Sequence, residues 1–469
     1  MSMGLLTNLK RVHIIGVAGT LMGSFAAFLK RAGIEVSGSD QNVYPPMSDV
    51  LKNAGVKIFE GYRAENLSSM ASPPDLVVIG NVISAGNPEA RYAIDQKLSY
   101  SSLPEAMERF MLADTRNVVI SGTHGKTTTS SLMAHVLKSC GKDPCYFIGG
   151  VPADLPHSFH ISDLAKGRPF VLEGDEYDTA FWDKVPKFNH YLPDDVILTS
   201  IEFDHADIYK DLDAVVSAFL GLMQRVRPGG RVIACEDYEN VRQVVKNANV
   251  PVIFYGAKDL KNLKYTEQGS EFQFDGQTIR VPMSGQYNAL NALAVWIEAR
   301  ELGLDPHSVL GPIANFQGVK RRQELRGEAR GVQVYDDFAH HPTAVRETLV
   351  GFRKRFPQKK LTVIFEPRSA TSRRNFFQKD YADAFAEADQ TWIAPPYDTS
   401  KIPEGQRFSS DQLVADLNAR GKKAFLMPEV DQAVPKIVSL AQSGDLIIVL
   451  SNGGFGGLIG KLLDALKSH

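Results

Sequence analysis

Short apolar runs alternate with helical patterns along the whole chain, and polar residues begin where each run ends. The runs fall at 12–15, 76–79, 118–120, 170–172, 196–201, 332–335, 362–365 and 446–450. Runs of this length, bounded by turn residues, suit strands buried on both faces. Their alternation with helices predicts α/β layers with mainly parallel sheets. A helix is expected at 21–31. Another should begin near Thr128, where Leu132, Met133, Val136 and Leu137 share one face and Gly141 supplies a stop. The polar residues gather at one edge. Ser39 and Asp40 close the second strand, Gly80 and Asn81 follow 76–79, Glu173 follows 170–172, Glu202 follows 196–201, and Asp336 follows 332–335. In open α/β sheets the carboxyl edge of the strands is where ligands bind.

A chain of 469 residues is too long for one ordinary domain. Boundaries are expected near 108–115 and 318–330, giving a Rossmann-like domain at 1–110, a central phosphate-loop domain at 111–320 and a Rossmann-like domain at 321–469. The second boundary follows from reading the Gly- and charge-rich stretch 318–330 as a linker. A hydrophobic fraction of 43% with 23% charged residues fits a soluble globular protein, and a net charge of −2 gives no reason to expect nucleic acid or a membrane surface as a partner. Cys140, Cys145 and Cys235 have no metal-site spacing and no disulfide framework, which fits a reducing compartment. The start has no signal-peptide layout, and no apolar run approaches the roughly 18–20 residues needed to span a bilayer. A cytoplasmic monomer or weak homodimer is expected.

The sharpest chemistry lies at 122–128, GTHGKTT, between an apolar strand and a helix. Gly122 and Gly125 let the backbone turn its N–H groups inward around phosphate, with Thr123 and His124 between them. The helix that follows, through Thr128, adds the positive end of its dipole. Lys126 can reach the β- and γ-phosphates of ATP, and the Thr127 hydroxyl can ligate Mg²⁺. The common spacing GxxxxGK[ST] would place a glycine at Ile120, so this loop is a shortened form. Gly16, Gly19 and Gly23 open a helix after the first strand and read as a second phosphate loop. It is not the dehydrogenase fingerprint, because Ala18 stands at the second glycine position. Glu173 in VLEGDEYD and His205 in SIEFDHADIY follow two strands taken as adjacent, where a carboxylate and an imidazole could share a metal beside a triphosphate. DDFAHHP at 336–342 adds a dense polar cluster.

Together these residues resemble the Mur ligase family, the ATP-dependent enzymes that add amino acids or peptides to UDP-N-acetylmuramate. GTHGKTTT at 122–129 matches the family's ATP loop, shortened spacing included. The resemblance implies Glu173 and His205 as Mg²⁺ ligands and Lys126, Glu173 and His205 as the catalytic set. It implies Asn288, Asn291, Arg322, Asp337 and His340 as further ATP contacts. Tyr287 stands in GQYNALN where the family has histidine. Several phrases, NVYPPMS at 42–48, EFDHADIY, DDFAHHPTA, FEPRS and SNGGFGG, are similar to the branch that joins the murein tripeptide L-alanyl-γ-D-glutamyl-meso-diaminopimelate to UDP-N-acetylmuramate in cell-wall recycling. The Arg373-Arg374 pair after FEPRS departs from that pattern. The resemblance further implies that Gly16, Gly19, Gly23, Ser39, Asp40, Gly80 and Asn81 bind the UDP-sugar, and His341, Arg368 and Ser369 the peptide, with Arg368 and Ser369 on its carboxylates. Two other readings stay open: a ligase adding free L-alanine, and a Rossmann-type nucleotide-sugar oxidoreductase.

Overall fold

The computed structural model describes residues 9–44, 47–162 and 166–468; Pro45 and Pro46 of NVYPPMS lie outside them. The described residues form two compact units. The first comprises the described residues up to Glu202, Leu212–Gly256 and Leu293–Pro312, and the second Phe203–Asp211, Ala257–Ala292 and the described residues from Ile313 on.

Two sheets build the first unit. Strands β1 (Arg11–Ile15), β2 (Glu35–Asp40), β3 (Lys57–Glu60), β4 (Leu76–Ile79) and β5 (Tyr100–Ser101) are parallel in the order β3-β2-β1-β4-β5. The order reverses at β1, which leaves a crevice at the carboxyl ends of β1 and β4. The second sheet contains β6 (Arg116–Ser121), β7 (Cys145–Phe147), β8 (Phe159–His160), β9 (Pro169–Gly174), β10 (Asp195–Leu198), β11 (Arg231–Cys235) and β12 (Val252–Tyr255). Its order is β12-β11-β10-β6-β9-β7-β8, parallel except for β8. Here the switch falls at β6, the strand that feeds the phosphate loop. β9 and β10 are therefore not adjacent, contrary to the sequence expectation: each flanks β6. Glu173 also lies inside β9 rather than after it.

The second unit holds a small antiparallel meander, β13 (Lys261–Thr266), β14 (Gly269–Phe274) and β15 (Gln277–Val281), which the apolar runs do not announce. Its main sheet contains β16 (Glu324–Ala329), β17 (Val332–Asp337), β18 (Leu361–Phe365), β19 (Gln390–Ile393), β20 (Lys423–Leu426) and β21 (Leu446–Leu450), ordered β16-β17-β21-β18-β19-β20. β18 and β21 are buried along their whole length, as continuous apolar runs require. The stretch read as a linker at 318–330 contains β16, an antiparallel edge strand with an irregularity between Leu325 and Gly327. Its charged residues Glu324, Arg326 and Glu328 are half-buried or exposed, which hides the strand from a hydrophobic reading. No helix among the described residues is long and apolar enough to cross a membrane.

Candidate active site

The buried strand β6 runs into residues 122–125, where Gly122 and Gly125 have φ of +133° and +81°. A Cβ on Gly122 would lie 2.2 Å from Thr199 Oγ1 and 2.8 Å from both the N and O of Ser200. That closeness lets the loop zip onto the segment after β10. Thr123 N donates to Ser200 O (2.9 Å), His124 N to Ser200 Oγ (3.0 Å), Thr199 Oγ1 to His124 O (2.6 Å) and Glu202 N to Thr123 Oγ1 (2.8 Å). His124 Nε2 lies 2.6 Å from Glu202 Oε2. The helix Lys126–Ser139 starts at Gly125 with no side-chain cap and no acidic residue in its first turn. Its leading N–H groups and the positive end of its dipole are thus available to an anion.

Three sequence-named residues meet at this helix start. Thr127 Oγ1 donates to Glu173 Oε1 at 2.7 Å, and Gly149 N donates to Glu173 Oε2 at 2.7 Å. Burial pushes the Glu173 carboxyl up, against the hydrogen bonds from Thr127 and Gly149. Lys126 Nζ donates to Gly122 O at 2.7 Å and to Glu176 Oε1 at 3.0 Å. Burial works to lower the Lys126 pKa, but the charges of Glu176 and Asp175 outweigh it and the ammonium is held above its ordinary value. Lys187 Nζ lies 2.5 Å from Asp175 Oδ2. Glu176 is not singled out by the sequence motifs. Its burial at 2% exposure, against the lysine, gives it a direct part in the site. Thr128 is buried in the first turn.

At the other crevice, Gly16 (φ +86°) and Val17 donate their N–H groups to Ser39 O. Asp40 caps the loop, accepting from Ala18 N at 2.9 Å, Gln41 N at 2.8 Å and Tyr62 Oη at 3.2 Å. Burial, then Asp40, pushes the Tyr62 hydroxyl up to about 12. The buried Ser39 hydroxyl has no hydrogen-bond partner among the described residues. Gly80 N donates to Ile15 O, and Asn81 is exposed on the turn beyond. The helix Thr20–Arg31 begins at Gly19 without a side-chain cap or an acidic first turn. Gly23 has a different reason to be glycine: a Cβ there would lie 2.3 Å from Met47 Sδ and 2.9 Å from Val17 O, so it is a packing position.

The second unit gathers its own polar cluster around Asp204, which is 5% exposed. Asp204 Oδ1 accepts from Thr371 Oγ1 (2.6 Å) and from His205 N (2.7 Å), and His340 Nε2 lies 3.7 Å from Oδ2. Burial works to raise the Asp204 pKa, but the neighbouring His340, His205 and His341 hold it well below the carboxylate range. His205 has φ of +55°. His341 Nε2 lies 3.2 Å from Phe203 O, and its Nδ1 accepts from Thr343 N as the cap of the helix Pro342–Arg355. Asp337 accepts from Gln323 N and Ala339 N, both at 2.8 Å; burial raises its pKa, and Arg322 opposes the rise. The Arg322 guanidinium lies over the Phe338 ring at 4.4 Å. Asn288 Nδ2 donates to Ser284 O, and Asn291 Nδ2 lies 3.5 Å from Asn288 Oδ1. Tyr287, at the family's histidine position, accepts at Oη from Gln323 Nε2 at 2.7 Å.

Beyond β18, Arg368 stacks over Tyr397 with 3.7 Å to the ring centroid and lies 3.4 Å from Glu366 Oε1. The Ser369 hydroxyl is engaged inside its own turn: it accepts from Ser372 N at 2.9 Å and donates to Ser372 Oγ at 2.9 Å. It serves the turn. Asp204 and Thr371 have no family-independent signal in the sequence, because the partners that define them stand 167 positions apart.

Three mainly parallel sheets, one with a shortened phosphate loop at its switch point, define an α/β nucleotide-dependent enzyme fold. The chain belongs to the Mur ligase family: "Mur ligase family, catalytic domain" matches residues 11–115, "Mur ligase middle domain" residues 120–299 and "Mur ligase, glutamate ligase domain" residues 321–453. It is 38% identical over 464 residues to the UDP-N-acetylmuramate–L-alanyl-γ-D-glutamyl-meso-2,6-diaminoheptandioate ligase of Escherichia coli (strain K12), covering 97% of this chain and 98% of that one. It is 30% identical to the UDP-N-acetylmuramate–L-alanine ligase of Clostridium tetani (strain Massachusetts / E88), covering 97% and 98%. Among solved structures, a murein peptide ligase from Psychrobacter arcticus 273-4 superposes with a TM-score of 0.68 at 32% identity, covering 98% and 99%.

Proposed function

We propose that this protein is an ATP-dependent ligase that joins L-alanyl-γ-D-glutamyl-meso-diaminopimelate to the lactyl carboxylate of UDP-N-acetylmuramate, reusing murein peptide. The full-length likeness to the E. coli protein supports the substrates. The observation that carries the reaction type is the helix start at Gly125, with Lys126, Thr127 and Glu173 converging on it. In this reading the domains are 1–110, 111–320 and 321–469.

The γ-phosphoryl group of ATP passes to the lactyl carboxylate, leaving ADP and an acyl phosphate. The L-alanyl amine attacks the acyl carbon, and phosphate departs as the amide forms. Residues 122–128 cradle the triphosphate through backbone N–H groups, and Lys126 screens the approach of carboxylate to phosphate. A half-buried carboxylate paired with a hydroxyl is an oxygen donor set suited to a hard cation, so Thr127 and Glu173 fit Mg²⁺, and His205 is proposed as a further ligand. Mg²⁺ supplies charge neutralisation of the triphosphate. Asn288, Asn291, Arg322, Asp337 and His340 are proposed to contact ATP. Gly16, Gly19, Ser39, Asp40, Gly80 and Asn81 are proposed to hold the UDP-sugar, with Gly23 packing their helix. His341 and Arg368 are proposed to hold the peptide.

The test is ADP release with UDP-N-acetylmuramate and, in turn, L-alanine, the dipeptide, the tripeptide and the tetrapeptide. The highest kcat/KM is expected with the tripeptide. Turnover confined to L-alanine would instead assign the alanine-adding reaction.

A further inference from the structure

The Arg373-Arg374 pair is the part of the post-β18 segment that the proposed reaction leaves unused. The structure separates the two side chains. Arg373 is spent on backbone carbonyls: its NH1 donates to Asp398 O at 2.5 Å and its Nε to Ser369 O at 3.3 Å. Arg374 is partly buried, yet its guanidinium has no hydrogen bond or ion pair to any described residue. Its backbone forms an isolated antiparallel bridge with Arg407. Residues directly opposite in an antiparallel pair project to the same face, and like charges there repel. Arg407 donates only Nε, to Ile402 O at 2.8 Å, and no described acid pairs with it. Two guanidiniums thus share one face without a counter-charge.

The backbone beneath them is tied down. Phe408 N donates to Arg373 O at 3.0 Å, Arg374 N to Thr371 O at 3.1 Å and Asn375 Nδ2 to Gly405 O at 2.9 Å. Gln378 and Ser409 exchange hydrogen bonds at 3.0 and 2.8 Å. A pair of planar forks on a fixed backbone, with no acid of its own, is a receptor for a carboxylate supplied from outside. Thr371, which holds Asp204 beside His340, lies three residues away, a reach of at most about 11 Å along the chain. An extended tripeptide covers a comparable distance, roughly 10 Å.

We propose that Arg374 and Arg407 together bind a carboxylate at the diaminopimelate end of the incoming peptide, and so select peptide over free amino acid. The proposal rests on the tripeptide-ligase reading above. L-Alanine carries its single carboxylate beside its amine and does not reach the pair.

The experiment measures steady-state ADP release with R374Q, R407Q, R407K and the double glutamine variant. The tripeptide is compared with the same tripeptide amidated on diaminopimelate. For each glutamine variant, KM for the tripeptide should rise about tenfold, one charge-assisted contact's worth. kcat at saturation and the KM values for ATP and UDP-N-acetylmuramate should stay within about twofold. R407K should recover part of the loss. The amidated peptide should be poor for the wild type and no poorer for the double variant. A wild type that turns over tripeptide while all four variants keep its KM overturns the arginine proposal alone. A wild type with no tripeptide turnover sinks the ligase reading and this proposal with it.

Discussion

Position 122 leaves no room for a side chain. The nearest atoms to a Cβ there are a hydroxyl at 2.2 Å and backbone at 2.8 Å, and φ is +133°. Gly122→Ala therefore combines backbone strain with overpacking and should cost about 2–4 kcal/mol in urea unfolding. It should also lower ADP release by at least about 100-fold, because the loop can no longer seat on residues 199–202. Gly19 provides the contrast. Its φ is −64° and the nearest neighbour of an added Cβ is 3.7 Å away. Gly19→Ala should lose no more than about 1 kcal/mol. Equal losses at the two positions would show that the close approach at 122 does not govern the loop.

Elements in the first unit are tied by a titratable group. His190, at the end of a short 3-10 turn, lies 2.6 Å from Glu108 Oε2 on the helix Leu103–Phe110 and 2.7 Å from Asp183 Oδ2. Burial works to lower its pKa, but the two carboxylates outweigh this and raise it. The folded value stands above the unfolded one, near 6.5. The stabilisation is thus fully present below about pH 6.5 and is lost as pH rises through the raised folded value. Urea midpoints measured from pH 6 to 9 should fall across that window, and His190→Gln should flatten the fall. A wild-type midpoint independent of pH there would remove the histidine from the ledger.

The same scale shows what the sequence could convey. β4, β18 and β21 are buried throughout, so their apolar runs are legible without context. The helix Leu103–Phe110 carries a Ser102–Glu105 capping box, a local signal of the same kind. β16 is not legible, because an edge strand rich in charge gains its identity from pairing with β17. The phosphate loop is legible from contiguous residues. Glu176 and Asp204 acquire partners 50 and 167 positions away, which only the fold supplies.

At the scale of the whole molecule, the chain passes between its two units after residues 202, 211, 256, 292 and 312. One passage, after Ala292, falls within the continuous helix Gln286–Glu301. Unfolding either unit therefore removes part of a helix whose remainder belongs to the other, and the ladder of i to i−4 hydrogen bonds cannot be cut there without cost. Calorimetry should show one cooperative transition, with van't Hoff and calorimetric enthalpies in agreement. A non-hydrolysable ATP analogue with Mg²⁺ at about 100 times its Kd should stabilise the fold by about 2.7 kcal/mol. For a single cooperative unit of 469 residues that corresponds to a rise of about 2–3 °C in Tm. Lys126→Ala should abolish the rise, because the phosphate loop loses the one ammonium that Glu176 and Asp175 hold charged within it. Two separated transitions, with only one moved by nucleotide, would show that the shared helix does not couple the units. A single transition that moves in wild type and stays fixed in Lys126→Ala would link nucleotide binding at residues 122–128 to the stability of the entire chain.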